Sequence, residues 1–339
     1  MRTLTLLAVV AAVPIVSLAA PLKVSLPPAM GAVPVVMATA WDLFRAEGIE
    51  VELIPLPSQR DRMLAFQAGQ VDAIVTDLTG AILLVASVPR EAVIVGTAFS
   101  PEPAKDHLAF ITPPALSRIA TWDDLVARIT SGRRVQIAVP RQSDLEFVVD
   151  RVFQEQGITV PADLYIGQDD LLVNSTWTLL GMVAVGVLPR PHADYILTYT
   201  FPGKPTLTVL AWVPGASFPP EVFVVRRSLL ESQPETLAAF FRAVRQSVAQ
   251  LNSEDRESVV AAALPWAVDL FFPGSGPETA APEVRTQIEA AIAAIVIPTF
   301  PEPSAVDPEV YDRVMTWALG KNYLRSPLPY GAAVVPPPE

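Results

Sequence analysis

Two short polar stretches hold the residue types best suited to grip a small molecule. Ser58-Gln59-Arg60-Asp61 follows an apolar run and opens a helix, and Arg141-Gln142-Ser143-Asp144-Leu145-Glu146 does the same further along. A helix start leaves backbone N–H groups unpaired, so it favours an anion or a polar oxygen. Plain capping explains the serines just as well, because a serine followed three residues later by an acid is a capping-box signature. Arg141 beside the second start suits a carboxylate, sulfonate or phosphate. Asp61 and Asp144 oppose one, since an acid in the first turn already occupies the positive end of the helix dipole. These residues point to a neutral or singly charged solute rather than a dianion.

Bond-making chemistry has thinner support. The chain has two histidines, His107 and His192, and no cysteine. That excludes disulfides, thiolate nucleophiles, iron–sulfur clusters and cysteine-ligated zinc. His107 sits in a strand-like run, and His192 follows Pro189-Arg190-Pro191; neither has the serine and orienting acid of a triad in view. Gly274-Ser275-Gly276 lies in a proline-rich stretch without a nucleophile-elbow pattern, and no phosphate-binding or dinucleotide glycine fingerprint is present. Asp169-Asp170 reads as a solvated loop pair. No metal site and no cofactor are expected. Trp177 and Phe99 fall where an aromatic could stack on a planar ligand, although core burial is the commoner fate of such residues.

The elements that must position these residues are legible from periodicity. Leu22–Leu26, Val51–Ile54 and Val71–Asp77 read as strands, separated by helical segments over about 35–46 and from Ser58 to Gly69. A βαβαβ order with short links gives a parallel sheet whose strand ends share one edge, where open α/β sheets bind ligands. Further strands are expected at 91–97, 107–112, 134–139, 164–166, 182–188, 207–213 and 222–226. Thr121 and Asp124 form a capping box before a helix. Leu237, Phe240, Phe241, Val244 and Val248 make an apolar stripe on a long helix opened by Gln233-Pro234-Glu235. The tail Pro336–Glu339 is expected to fray.

The 339 residues, 51% hydrophobic and 17% charged, suffice for two folded lobes with buried cores. The formal net charge of -11 opposes nucleic acid and anionic membrane surfaces as partners. Residues 1–20 read as an export leader, with Arg2, an apolar run from Leu4 to Leu18 and a cleavage point after Ala19. Pro14 and the short run argue against an uncleaved anchor. The expected location is periplasmic or extracellular, with no lipobox cysteine.

Taken in order, these segments resemble the periplasmic substrate-binding proteins of ABC importers, in the group that binds nitrate, sulfonate, taurine and thiamine-pyrimidine precursors. The resemblance rests on Phe44-Arg45-Ala46-Glu47-Gly48-Ile49-Glu50-Val51, on Met63-Leu64-Ala65-Phe66-Gln67-Ala68-Gly69-Gln70-Val71-Asp72-Ala73, and on Ile119–Leu125 with Arg134–Pro140. Leu180-Gly181-Met182-Val183-Ala184, Leu188-Pro189-Arg190-Pro191 and Ser232–Val248 complete it. Two positions depart: Arg190 stands where the family often has an acid, and Val183-Ala184 where it usually has an aspartate. The resemblance implies the type II periplasmic-binding-protein fold, two α/β lobes joined by a two-strand hinge with the ligand cleft between them. Lobe I would comprise residues 21–101 and 217–339, and lobe II residues 102–216. The implied ligand positions are Pro28, Met30, Ser58, Gln59, Thr76 and Asp77 in the first lobe, with Phe99 near the crossing. In the second they are Arg141, Gln142, Ser143, Gln168, Leu188 and Arg190. The implied function is capture of a small polar organic solute, a pyrimidine-like heterocycle or a sulfonate-type monoanion, for an ABC permease and its ATPase, by a monomer that is not an enzyme. Two alternatives stand beside it: a sensor or adaptor that presents ligand to a membrane partner, and a pyrimidine-synthase-like enzyme. The synthases related to this family carry a cysteine-rich motif that this chain cannot have.

Overall fold

Leu22–Leu26 (β1), Val51–Pro55 (β2) and Ala73–Asp77 (β3) pair in parallel, with Leu22 opposite Val51 and Val24 opposite Ala73. The computed structural model describes residues 20–161, 163–200, 203–271 and 295–339, with Pro282, Arg285, Thr286, Glu289 and Ala290. Nearly all of the expected leader, residues 1–19, and Gly274-Ser275-Gly276 lie outside the described residues. Ala92–Phe99 (β4) then leads the chain into a second sheet made of Asp106–Thr112 (β5), Ile137–Ala138 (β6), Tyr165–Ile166 (β7), Val185–Pro189 (β8) and Thr208–Pro214 (β9). Glu221–Arg226 (β10) brings it back to the first sheet, and Val334–Val335 (β11) ends it there.

The strand orders are β11-β4-β10-β3-β1-β2 and β7-β6-β8-β5-β9. The returning β10 runs antiparallel between β3 and β4, and β5 runs antiparallel between β8 and β9. Two α/β lobes thus face each other, joined where Phe99 leads to Asp106 and Pro214 to Glu221. The two crossing segments hold each other: the Gly215 N–H donates to the Lys105 carbonyl at 2.8 Å and the Ala216 N–H to that of Pro103 at 3.1 Å.

Helices cover both sheets with the faces that the sequence marks as apolar. The stripe Leu237, Phe240, Phe241, Val244 and Val248 on the helix Pro234–Ser253 is buried. The C-terminal helix Pro308–Gly320 buries Tyr311, Val314 and Ala318, and sets the Trp317 ring 5.5 Å from that of Phe147 in the second lobe.

Local departures from the sequence reading have local causes. The helix expected over 35–46 is broken into Val33–Ala40 and Leu43–Ala46, because Asp42 takes a left-handed φ of 56°, a conformation that aspartate tolerates better than most residues. The strand expected over 134–139 pairs only at Ile137 and Ala138. The tail is tied down rather than frayed: β11 pairs with β4, and the Pro338 carbonyl accepts from Arg245 at 2.6 Å. Among the described residues no helix is long and apolar enough to cross a membrane, and no group of His, Cys, Asp and Glu could hold a metal ion.

Candidate functional site

The ends of β1, β2 and β3 in one lobe face Pro140-Arg141 and Pro189 at the ends of β6 and β8 in the other. With the crossing segments they enclose a cavity of about 120 Å³, space for a small solute rather than a peptide. Seven of its lining residues are prolines, at 27, 28, 57, 101, 140, 189 and 219. Their locked φ angles give the cavity a wall that changes shape little. The charged lining is mostly acidic: Asp77, Asp144, Asp169 and Glu221 against Arg62 and Arg141.

Arg62 projects from the helix Gln59–Gln67. Its Nη1 donates to the Leu56 carbonyl at 2.6 Å and the Pro57 carbonyl at 3.0 Å, while its buried Nε has no partner in the protein. Burial lowers its pKa to about 10, against the nearby charges of Asp77 and Glu221. Glu221 opens the returning strand β10. Its Oε2 accepts from the Gly31 N–H at 2.9 Å, and a Cβ on Gly31 would stand 2.3 Å from that oxygen, so the approach requires glycine. Burial pushes the Glu221 carboxyl up to about 7, partly offset by the bond from Gly31.

The helix Leu78–Ser87 begins at the cavity, and its first donors are already taken. Asp77 caps it, accepting from the Gly80 N–H at 2.7 Å. The two preceding donors bond across the cleft: Leu78 N–H reaches Asp144 Oδ2 at 3.0 Å, and Thr79 N–H and Oγ1 reach Asp144 Oδ1 at 2.9 and 2.6 Å. Asp77 Oδ2 in turn accepts from the Asp144 N–H at 2.9 Å. The helix starts of the two lobes thus exchange carboxylates. Burial pushes Asp77 up to about 6. Burial, then the Asp77 charge, push Asp144 well above the carboxylate range, against the Thr79 and Leu78 donors that favour its ionised form.

Beside the cavity lies a second cross-lobe cluster. The Glu146 side chain is fully buried. It meets Arg141 Nε and Lys321 Nζ at 2.9 Å each and accepts from the Tyr323 hydroxyl at 2.9 Å and from the Gln142 N–H at 2.7 Å. Lys321 also reaches Asp150 at 2.9 Å, which accepts from Trp317 Nε1 at the same distance. Arg141 Nε and Nη2 additionally donate to Tyr323 at 3.1 and 3.0 Å, so Arg141 lines the cavity with its charge already matched.

Of the residues expected from sequence, Pro28, Gln59, Asp77, Arg141 and Ser143 line this cavity. Met30, Phe99 and Arg190 instead line a neighbouring cavity of about 370 Å³ that shares Pro101 and His107 with the first. There Arg190 packs over the Trp212 ring at 5.0 Å and lies 3.6 Å from Asp194. Ser58 caps its helix through the Asp61 N–H at 3.2 Å. Thr76 and Leu188 are buried within their strands. Gln142 offers its carbonyl to Gln59 Nε2 at 3.2 Å, and Gln168 is tied through its backbone to the Asn174 amide. Ser143 accepts from Glu146 N–H at 3.3 Å, but Glu146 reaches back to Gln142 rather than to Ser143, so the expected capping box is half made.

Sequence reasoning missed Arg62, Asp169, Phe218 and Glu221 as lining residues. Glu221 had a signal: it is a lone acid between two prolines and an apolar strand. His107, in view from the start, walls both cavities. Its ring meets Phe218 edge-on at 4.7 Å, and burial, then the Arg190 charge, hold it down to about 4. It is neutral at ordinary pH.

Residues 19–173 match the model of the NMT1-like family. No curated protein sequence matches the chain. Among solved structures, an alkanesulfonate-binding protein from Xanthomonas axonopodis pv. citri, bound to MOPS, superposes with a TM-score of 0.69 at 14% identity over 94% of this chain and 99% of its own. The periplasmic aliphatic sulphonate binding protein of Escherichia coli gives 0.65 at 16% identity, covering 94% and 93%. The periplasmic nitrate-binding protein of Synechocystis PCC 6803 gives 0.61 at 12%, covering 90% and 82%. The fold is that of the periplasmic binding proteins, and the resemblance read from the sequence stands.

Proposed function

We propose that this protein is an extracytoplasmic solute-binding component that closes its two lobes over a small polar organic molecule and delivers it to an ABC permease with its ATPase. The observation that carries the reading is the cavity itself, built from the strand ends of both lobes and from the segments that join them. A solute touching both lobes binds only the closed arrangement and so shifts the equilibrium toward it. The mature chain acts as a monomer without catalysis, with lobe I formed by residues 21–101 and 217–339 and lobe II by residues 102–216, after loss of a leader over residues 1–20.

Between the two ligand classes the lining favours one. Four carboxyl groups face the cavity, and Arg141 is already paired. A heterocycle with N–H donors, neutral or protonated, meets Asp77, Asp169 and Glu221, and its ring acceptor meets the unpartnered Arg62 Nε. A sulfonate-type monoanion has Arg62 alone to offset the acids. The testing experiment is extraction of the protein, purified from its native host, followed by mass spectrometry, with a thermal-shift panel of pyrimidines, amines, sulfonates and nitrate beside it. The expected result is a single donor-bearing solute that also stabilises the protein. An empty extract with no stabilisation across the panel overturns the reading.

A further inference from the structure

The helix start at Leu78 stands at the cavity, where backbone donors and the helix dipole favour an anion. Here those donors are spent on the protein itself. Leu78 and Thr79 N–H and the Thr79 hydroxyl converge on Asp144, and Gly80 N–H on Asp77. Asp144 comes from the opposite lobe, so its carboxylate reaches this helix only when the lobes are together. Beside it, the buried Arg62 Nε, which lines the same cavity, has no protein partner. One polar corner is thus filled from within, and the other is left for a ligand.

We propose that Asp144 is a specificity-determining residue: its carboxyl group occupies the helix start and takes the donors there, so that the captured solute needs no anionic group and free monoanions are refused. The inference rests on the solute-binding reading and assigns the ligand class at residue level. Asp144 takes the place that a sulfonate, nitrate or carboxylate would fill. The solute occupies the adjoining space toward Arg62 and Glu221.

The test is a gain of function. Binding of formate and of methanesulfonate is measured by calorimetry in a sulfonate-free buffer for the wild type, Asp144→Ala, Asp144→Ser and Asp144→Asn. The alanine and serine variants, which vacate the helix start, are expected to bind formate and methanesulfonate at least tenfold more tightly than the wild type. The asparagine variant, which keeps an oxygen in place, is expected to behave as the wild type does. Micromolar binding of methanesulfonate by the wild type overturns the inference whatever the variants do. A folded alanine or serine variant that gains no anion affinity overturns it as well. If the wild type binds donor-bearing solutes while the variants gain nothing, this inference falls and the solute-binding reading survives; if the wild type binds no solute of any class, it is the solute-binding reading that falls.

Discussion

Two helices begin at the same cavity and are finished in opposite ways. The helix at Gln59 is capped by its own Ser58, a contact between residues three apart in sequence. The helix at Leu78 is finished by its own Asp77 and by Asp144, sixty-six residues away in the other lobe. The cap of the first start is made within its own lobe, and Arg62 on the same helix keeps an unpartnered Nε beside the cavity. The second is complete only when the lobes meet. Local caps therefore build the lobe, whereas exchanged carboxylates report on its closure.

The largest effect is expected where closure is held by buried charge. Glu146→Ala removes the group on which Arg141, Lys321 and Tyr323 converge. Arg141 and Lys321 are left partly exposed and Lys321 keeps Asp150, so the expected cost is about 3 kcal/mol, from the lost hydrogen bonds to a charged group. Thermal or urea unfolding checks it, and a loss near zero would show that the lobes do not depend on this cluster.

Glu221 sharpens the comparison through pH. Its carboxyl is raised to about 7 from an ordinary 4.5, so between those values the folded chain keeps a proton that the unfolded chain has released. Stability from this group therefore falls as pH rises through that window, and the penalty is complete above about pH 7. Glu221→Gln removes it. The variant is expected to exceed the wild type by up to roughly 3 kcal/mol at pH 8, with the advantage gone by about pH 4. His107, held down to about 4 by burial, titrates in both proteins and cancels in the difference. Denaturant melts of both proteins across this range check it.

Two smaller changes set the helix starts directly against each other. Thr79→Val takes one donor from the buried Asp144 and is expected to cost about 2 kcal/mol, because a buried oxygen is left with one partner fewer. Ser58→Ala removes a local cap and is expected to cost about 1 kcal/mol. Thr79→Val should also loosen closure, read as a rise in radius of gyration by solution scattering, whereas Ser58→Ala should leave it unchanged. Equal scattering from both would erase the distinction.

What the sequence shows of this molecule follows the range of the interactions. β1, β2, β3 and the apolar stripe from Leu237 to Val248 are short-range patterns, and they fold as read. Ser58, Thr121 and Ser143 cap the helices that they precede, because a cap is decided within four residues. Gln59, Arg141 and Ser143 line the cavity for the same reason: strand ends and helix starts mark the sheet edge. The partners across the cleft are set by lobe geometry instead. Nothing near Arg141 announces Tyr323, nothing near Asp144 announces Thr79, and the unpaired Arg62 Nε emerges only once β2 and its helix are in place. Arg141 thus lines the cavity as read, while its pairing with Glu146 and Tyr323 is not visible in the sequence.

Isothermal titration of the mature protein at pH 7.5 with aminopyrimidines, small amines, methanesulfonate and nitrate, repeated on Arg62→Ala, tests the central claim most directly. The expected result is saturable binding of a donor-bearing solute at one site per chain, weakened at least tenfold in the variant, with no heat from the anions. Tight binding of an anion with the solutes ignored, or binding that Arg62→Ala leaves untouched, would contradict it.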